Sequence, residues 1–450
     1  LGYEFFEYTP FQHQIISVLN LIKHKRCYNF SDMGAGKTAS TIWAYDILRY
    51  MGKIDNMLII CPLSIMQTVW VNEIRKIAPH LTYAIMHGAR EIRMEALNSK
   101  ADIIITNHDC VRTYTDEIIA KRFDIIAIDE ITAYKHSGSQ RSKRMTKIAK
   151  HCKAIWGLTG TPITTGPMDA YSLAKIINPD RLPSPYMTRF RNLTMSKIDM
   201  YNYEPRPGWE DIVFNLLQPA IRFKTEECID MPPISFETRA VPMLPEVKKI
   251  YNTMVKEHLA EINNGTITAV NAGVKAGKLL QIASGSVIDE EGVAQRLPVS
   301  PKYNELKSLV YESGNKLVVF VQFVDTALYL DELLTKDQFT TRLIYGKIPV
   351  RLRAEYFDEF QKGDVEILIA QVATASHGVN LTAASHICYW SAITGVEKYI
   401  QSTARIRRPG QTRHQHIIHL QSCRVEQVLF KGLQDGTLDN NAILDMYKGL

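Results

Sequence analysis

Short apolar runs rich in Ile punctuate the chain and set the strongest limit on what it can fold into. Met57 to Cys61, Ile103 to Ile105 and Ile125 to Ile128 fall in the first half; Leu317 to Val321, Ile367 to Ala370, His386 to Trp390 and Ile417 to Leu420 fall in the second. These runs are apolar at successive rather than alternate positions, which suits strands buried on both faces of a parallel sheet, and the mixed sequence between them is long enough for helices. At 450 residues the chain exceeds what one core usually supports, so two α/β lobes are expected. After Pro162 the texture changes, and Pro179, Pro183, Pro185, Pro205, Pro207, Pro219, Pro232 and Pro233 interrupt every candidate element. The junction is placed in this stretch, with an N-terminal lobe over 1–225 and a C-terminal lobe over 226–450. Val247, Ile250, Tyr251 and Met254 follow helical spacing, so a core-packed amphipathic helix is expected after Pro245.

Composition narrows the function classes. No apolar stretch approaches the ~20 residues that cross a bilayer, so no membrane partner is expected. The first residues, Leu1 to Phe6, carry no basic stretch followed by an apolar one, and with Leu1 in place of an initiator Met the natural start stays open. Cys27, Cys61, Cys110, Cys152, Cys228, Cys388 and Cys423 are scattered singly, without the close pairs of a zinc site or a secreted disulfide framework. A reducing cytoplasm fits this usage. The net charge of +6 mildly favours a polyanionic partner without identifying one.

Asp32-Met33-Gly34-Ala35-Gly36-Lys37-Thr38 precedes a helix-compatible run, Ala39 to Leu48. Read as a phosphate cradle, the glycines let backbone N–H groups approach the phosphates, Lys37 reaches the β/γ-phosphates, and the Thr38 hydroxyl can ligate Mg²⁺. Ser31 breaks the strict Walker A pattern at its first Gly, and a glycine turn capping a strand is the other reading of the isolated motif. Asp129-Glu130 follows the run Ile125 to Ile128 directly. An acidic pair there can face a bound Mg-nucleotide, Asp129 holding the metal and Glu130 activating water; in isolation such a pair is a solvated loop or helix cap. Gln401, Arg405 and Arg408 share one helical face by spacing, within a basic cluster that includes Arg407 and Arg413. Two arginines on one face suit a γ-phosphate, and a solvated basic helix is the alternative. Between Glu130 and Asp169 there is no acidic residue, whereas Lys135, Arg141, Lys143, Arg144, Lys147, Lys150 and Lys153 all fall there. That run is either a track for a nucleic-acid backbone or a solvated helix face.

Taken in order, these motifs resemble those of superfamily-two helicases of the Swi/Snf-type branch over nearly the whole chain. Pro10-Phe11-Gln12 resembles the adenine-reading Q motif, and Cys61-Pro62-Leu63-Ser64, ending in Trp70 and Glu73, resembles motif Ia, with Thr106-Asn107 next along the nucleic-acid path. Leu158-Thr159-Gly160-Thr161-Pro162 is similar to motif III, which couples hydrolysis to movement in this family. Phe223-Lys224-Thr225-Glu226-Glu227 followed by Pro232-Pro233 is similar to the family's lead into its second lobe. Val319 to Phe323 resembles motif IV, Gly378-Val379-Asn380-Leu381 motif V, and Gln401 through Arg405 and Arg408 to Gly410-Gln411 motif VI. Ile131-Thr132 replaces the usual Ala-His after the acidic pair and Thr164-Thr165 the usual Gln-Asn after motif III. The compactness is similar to that of phage-encoded, T5-like branch-migration helicases.

The resemblance implies two RecA-like lobes with parallel sheets, a nucleotide cleft between them and small helical insertions. It implies ATP and Mg²⁺ as cofactors, with Gln12, residues 32–38, Gly378 and Asn380 binding nucleotide, and Lys37, Asp129, Glu130, Arg405 and Arg408 carrying the chemistry. Ser64, Thr106, Asn107, Gln322 and Thr374 are the expected phosphate contacts. The expected activity is ATP-dependent translocation on DNA with remodelling of forks or branches, alongside recombination or replication proteins and, for a phage product, in the bacterial host cytoplasm. An RNA helicase and a nucleotide-switched DNA-binding protein with little turnover remain the alternatives.

Overall fold

The computed structural model describes residues 3–164, 166–198, 203–228, 230–263, 269–289, 291–314, 316–375, 380–408 and 410–435, with side chains outside 258–263, 269–273 and 375. The chain divides into two compact units, Leu1–Asp230 and Met231–Leu450. Strands of the first are β1 (Arg26–Asn29), β2 (Met57–Cys61), β3 (Tyr83–Met86), β4 (Ile103–Asn107), β5 (Ile125–Asp129), β6 (Ala154–Leu158), a short antiparallel pair β7 (Met195–Lys197) and β8 (Tyr203–Pro205), and β9 (Ala220–Ile221). Apart from that pair they form one parallel sheet in the order β3-β4-β2-β5-β6-β1-β9.

The uninterrupted apolar runs are explained by a core on each face of this sheet. Leu58, Ile60, Ile104, Ile126, Ile128 and Ile155 enter one cluster. Their neighbours Met57, Ile59, Ile103, Ile105, Ile125 and Trp156 enter the other. Side chains alternate across a strand, so burying both faces requires apolar residues at every position; each fully buried Ile or Leu contributes about 1.5–3 kcal/mol of transfer free energy. Register then aligns the strand ends. Cys61 lies beside Asn107, Asp129 beside Leu158 and Leu158 beside Asn29. The loops after β1, β2, β4, β5 and β6 therefore leave from one edge of the sheet, the edge where parallel α/β sheets bind ligands.

The proline-interrupted stretch after Pro162 folds onto the first unit. Its helices Met168–Ile177, Met187–Thr194 and Trp209–Leu216 send Tyr171, Phe190 and Val213 into the core. Pro167 caps the first of these helices and Pro179 opens a 3₁₀ turn, positions where no intrahelical bond is lost.

The second unit contains β10 (Ile234–Ala240), an antiparallel pair β11 (Ser286–Ile288) and β12 (Ala294–Arg296), β13 (Leu317–Val321), β14 (Thr341–Ile344), β15 (Ile367–Gln371), β16 (His386–Tyr389) and β17 (Gln415–Gln421). Six of these make a parallel sheet, β10-β17-β16-β13-β15-β14. It too is sandwiched: Val318, Phe320, Leu368 and Ile387 face one cluster, Leu317, Val319, Ile367 and Cys388 the other. The helix Pro245–Asn263 buries Val247 and Tyr251 but leaves Ile250 42% exposed, so its apolar stripe is narrower than the spacing implied. The two α/β units with parallel sheets agree with the fold class read from the sequence. Among the described residues no helix is long and apolar enough to cross a membrane, and all seven cysteines are free thiols.

Candidate functional site

β1 ends at Asn29, and the chain turns through Ser31 to Gly36 before the helix Lys37–Tyr50 begins. Gly34 and Gly36 have φ of 88° and 75°, the left-handed region that glycine enters without strain. A Cβ on Gly36 would stand 2.0 Å from Nε2 of Gln14, so a side chain there would displace that amide as well as strain the backbone. Ser31, the departure from the Walker A pattern, is buried, and its Oγ accepts a hydrogen bond from the Phe223 N–H at 3.2 Å. Asp32 N–H donates to the Phe223 carbonyl at 2.9 Å, and the Thr225 hydroxyl donates to the Met33 carbonyl at 2.9 Å. The phosphate loop is thus braced from behind by residues 223–225, and the hydroxyl that a glycine would lack supplies one of the braces. Lys37 Nζ donates to the carbonyls of Ser31 and Asp32 at 2.5 and 3.0 Å, which holds its charge over the loop. Thr38 is half-buried in the first turn of the helix and Ala35 is buried.

The acidic pair stands two strands away on the same edge. Asp129 is 8% exposed; its Oδ1 accepts from the Glu130 N–H at 3.1 Å and its Oδ2 from the Trp70 indole N–H at 3.0 Å. Burial pushes its carboxyl up to about 7, with the charge of Glu130 adding to the rise and Lys37, Trp70 and the Glu130 N–H opposing it. Glu130 has φ of 51°, a left-handed conformation uncommon for a residue with a side chain and worth noting at a site. Its Oε2 accepts from the Thr159 hydroxyl at 3.1 Å. Thr159 also receives the Thr161 N–H on its Oγ1 at 3.2 Å, and Gly160 lies close against the backbone of Ser31 to Met33. Ile131 and Thr132, which follow the acidic pair, are both buried, and the Glu130 carboxylate meets the loop after β6 directly. Thr164 is tied to Asp169 through its N–H at 2.9 Å and its hydroxyl at 3.0 Å.

Gln12, the expected adenine reader, is exposed on the first turn of the helix Gln12–Lys23. Its neighbours contact the loop instead: His13 Nε2 lies 3.1 Å from the Ala35 carbonyl, and Gln14 fills the space over Gly36 while its Oε1 accepts from the Phe11 N–H at 2.9 Å. Sequence reasoning missed both; the signal available was the helical spacing of His13 with Ser17 and of Gln14 with Val18 and Leu21, which make up the buried side of that helix.

The expected polymer contacts divide. Ser64 and Asn107 sit on the edge, Ser64 half-buried in the 3₁₀ turn Leu63–Ile65 and Asn107 at the end of β4. Thr106 is fully buried with its hydroxyl on the Met86 carbonyl at 3.2 Å, so it presents no contact to a polymer. In the second unit, Gln322 Nε2 donates to Thr394 Oγ1 at 3.0 Å, and the Thr374 hydroxyl donates to the Gln371 carbonyl at 2.7 Å. Asn380 is exposed and its Oδ1 accepts from the Thr382 N–H at 3.2 Å; Gly378 lies outside the described residues.

One expectation from the sequence needs correction. Gln401, Arg405 and Arg408 do not share one helix: the helix Val396–Thr403 ends first, and Arg405 to Arg408 run through turns. The Arg405 N–H bonds the Ser402 carbonyl at 3.1 Å and its own carbonyl takes the Leu381 N–H at 3.0 Å, which tightens the last turn and draws the chain toward the neighbouring loop. Arg405 is 2% exposed, and burial lowers the pKa of the Arg408 guanidinium. The basic run after Glu130 is also less free than it reads. Arg141 pairs with Asp109, Lys147 with Asp116 at 2.7 Å and Lys153 with Asp124 at 2.8 Å; acidic partners absent in sequence are supplied by neighbouring elements. Lys143, Arg144 and Lys150 remain exposed.

Comparison with known proteins fits this arrangement. The model of the SNF2-related domain matches residues 12–284 and that of the helicase conserved C-terminal domain residues 301–410. Protein p41 of Acyrthosiphon pisum secondary endosymbiont phage 1 is 26% identical over 446 residues, 95% of this chain and 93% of that one. Human ZRANB3, a DNA annealing helicase and endonuclease, is 22% identical over 432 residues, covering 91% of this chain but only 38% of ZRANB3. The SWI2/SNF2 ATPase core of Sulfolobus solfataricus in complex with dsDNA aligns with a TM-score of 0.48 at 23% identity, over 98% of this chain and 94% of that one. With a glycine loop, a basic residue over it and an acidic pair on one sheet edge, and with the family model covering more than half its length, the chain belongs to the SNF2-related family of ATP-dependent helicases.

Proposed function

We propose that this chain is a DNA-stimulated ATPase that translocates on duplex DNA and remodels branched or forked substrates. The observation that carries the reading is the meeting, on one edge of the first sheet, of the braced phosphate loop, the pair Asp129-Glu130 and Thr159 with the flanking Ser64 and Asn107. Nucleotide and polymer would thus be held by loops of one sheet. Family membership supports ATP as the fuel, and the description of ZRANB3 as a DNA annealing helicase supports DNA as the polymer.

In this reading the N–H groups of residues 33–38 and Lys37 bind the phosphates, the loop held in shape by Phe223 and Thr225. Glu130, held by Thr159, orients the attacking water and takes its proton. The motif resemblance assigns to Arg405 and Arg408 the guanidinium charge for the transferring phosphoryl group, a contribution of about 10³ to 10⁵ in rate where arginine fingers have been measured. Thr38 and Asp129 fit a magnesium ion: one hydroxyl and one buried carboxyl are the few protein ligands that such an ion takes beside phosphates, and a carboxyl whose pKa is raised by burial is the kind that a cation would ionise. When bound, the ion neutralises developing phosphate charge.

A panel of single strands, duplexes, forks and four-way junctions, in DNA and in RNA, scored for both phosphate release and strand products, tests the proposal. Stimulation by duplex DNA with products only from branched substrates is expected. Stimulation by RNA alone would replace DNA as the polymer, and polymer binding without turnover would make the chain a nucleotide-switched binder.

A further inference from the structure

We propose that Trp70 is a positioning residue that ties the polymer-facing segment after β2 to the carboxylate of Asp129. The inference rests on the reading above and deepens it by naming how the two activities are joined. Trp70 is 0% exposed, and its indole N–H lies 3.0 Å from Asp129 Oδ2. The other carboxylate oxygen is held by the N–H of Glu130, the adjacent residue, which moves with Asp129. The indole therefore makes a hydrogen bond that fixes this side chain relative to a different element.

That element is unusual. After Cys61 and Pro62 the chain makes a 3₁₀ turn, Leu63–Ile65, then a π-helical turn, Met66–Val71, then an α-helix, Asn72–Ile77. A π turn inserts one residue into the helical path and rotates the downstream residues by about 100° relative to an α-helix. Here the π turn follows Ser64, which lies in the loop just beyond Cys61, the strand partner of Asn107, and Trp70 turns inward into one core cluster with Ile65, Met66, Val71 and Ile74. Ser64 is joined to the same turn through its carbonyl, which accepts the Thr68 hydroxyl at 2.8 Å. π turns are intrinsically poorer than α turns and recur where a helix must present side chains for function. A backbone held at Ser64 and Asn107 would bear on this run, and the indole N–H would carry that constraint to Asp129.

Because the role is exerted through another residue, the test must separate it from packing. In the full chain, Trp70 is replaced by benzothienylalanine, which keeps the fused ring and puts sulfur in place of the N–H, and separately by Phe, which also opens a cavity. The isostere should keep the parent's melting temperature and duplex affinity. The magnesium concentration that half-saturates binding of a fluorescent ATP analogue should rise about tenfold, the size of effect typical of a lost partner behind a metal ligand, and duplex-stimulated kcat should fall by a similar factor. Trp70→Phe should show the same defects together with a lower melting temperature. An isostere with unchanged magnesium requirement and unchanged stimulation would overturn the proposal, as would one that loses duplex affinity alone. If the parent is stimulated by no polymer, the functional reading fails, and the magnesium titration alone still decides whether Trp70 positions Asp129.

Discussion

The Thr159 hydroxyl donates to the Glu130 carboxylate at 3.1 Å, joining the loop after β6 to the acidic end of β5. A hydrogen bond to a charged group contributes about 1.5–3 kcal/mol, so Thr159→Val should lower polymer-stimulated kcat about 10- to 100-fold. Binding of a fluorescent ATP analogue should be unchanged. Equal turnover in the variant would show that Glu130 is oriented without Thr159.

Glu130→Gln keeps the shape of the side chain and removes the base. Phosphate release should become undetectable above background while ATP binding persists, and Arg408→Ala should likewise spare affinity and slow the chemical step. Rapid-quench measurement of a single turnover distinguishes these from defects in binding. Wild-type chemistry in both variants would exclude the assigned roles.

Asp129 offers a pH test whose sign follows from its burial. Its carboxyl sits near 7 in the folded chain against an ordinary value of 3.8. Between about pH 4 and 7 the folded state therefore keeps a proton that the unfolded state has lost, and stability falls as pH rises through that window and levels off above it. Asp129→Asn should be more heat-stable than the parent at pH 8 without nucleotide, with the difference gone at pH 4. Thermal unfolding followed across this range checks it; an Asn variant no more stable than the parent at pH 8 would contradict it.

The second unit carries a buried ion pair, Lys302 Nζ to Glu426 Oε1 at 2.9 Å, with the two side chains 4% and 0% exposed. Burial raises the pKa of Glu426, and Lys302 opposes the rise. Lys302→Met should destabilise by about 3–5 kcal/mol, because it leaves a buried carboxylate without its cation. Adding Glu426→Gln, which retains an acceptor for the Ser422 N–H held at 2.6 Å, should recover much of that loss. Urea unfolding of the single and double variants measures the difference.

If the basic run after Glu130 follows a nucleic-acid backbone, its members will differ in effect. Lys143→Ala and Lys150→Ala should each reduce the slope of log affinity against log salt by about 0.9 on duplex DNA. Arg141→Ala and Lys147→Ala, whose charges are met by Asp109 and Asp116, should change it less. Salt titrations of duplex binding separate the two groups.

The strands were legible because burial on both faces leaves an unbroken apolar run, and Ile125–Asp129 shows how such a run also announces the acidic residue at its end. The glycine loop was legible for a similar reason, since its chemistry is local. The features that escaped were tertiary. Spacing alone put Arg405 and Arg408 on a helix, but the hydrogen bond from Leu381 to the Arg405 carbonyl belongs to a loop 24 residues upstream. Asp109 and Asp116 neutralise basic residues more than 30 positions away, and no one-dimensional count of charge reveals them. Trp70 stood in a recognisable motif, yet its bond to Asp129 depends on the register of a π turn, which leaves no periodic trace.

The brace behind the phosphate loop has a consequence for how the chain is made. Ser31 and Met33 are fastened to Phe223 and Thr225, partners 192 residues later. During synthesis, every residue expected to touch triphosphate in the first unit emerges long before those partners do. A nascent chain halted at Pro219 would own the glycines and the lysine but lack their backing, so fuel capture should switch on only as the end of this unit leaves the ribosome.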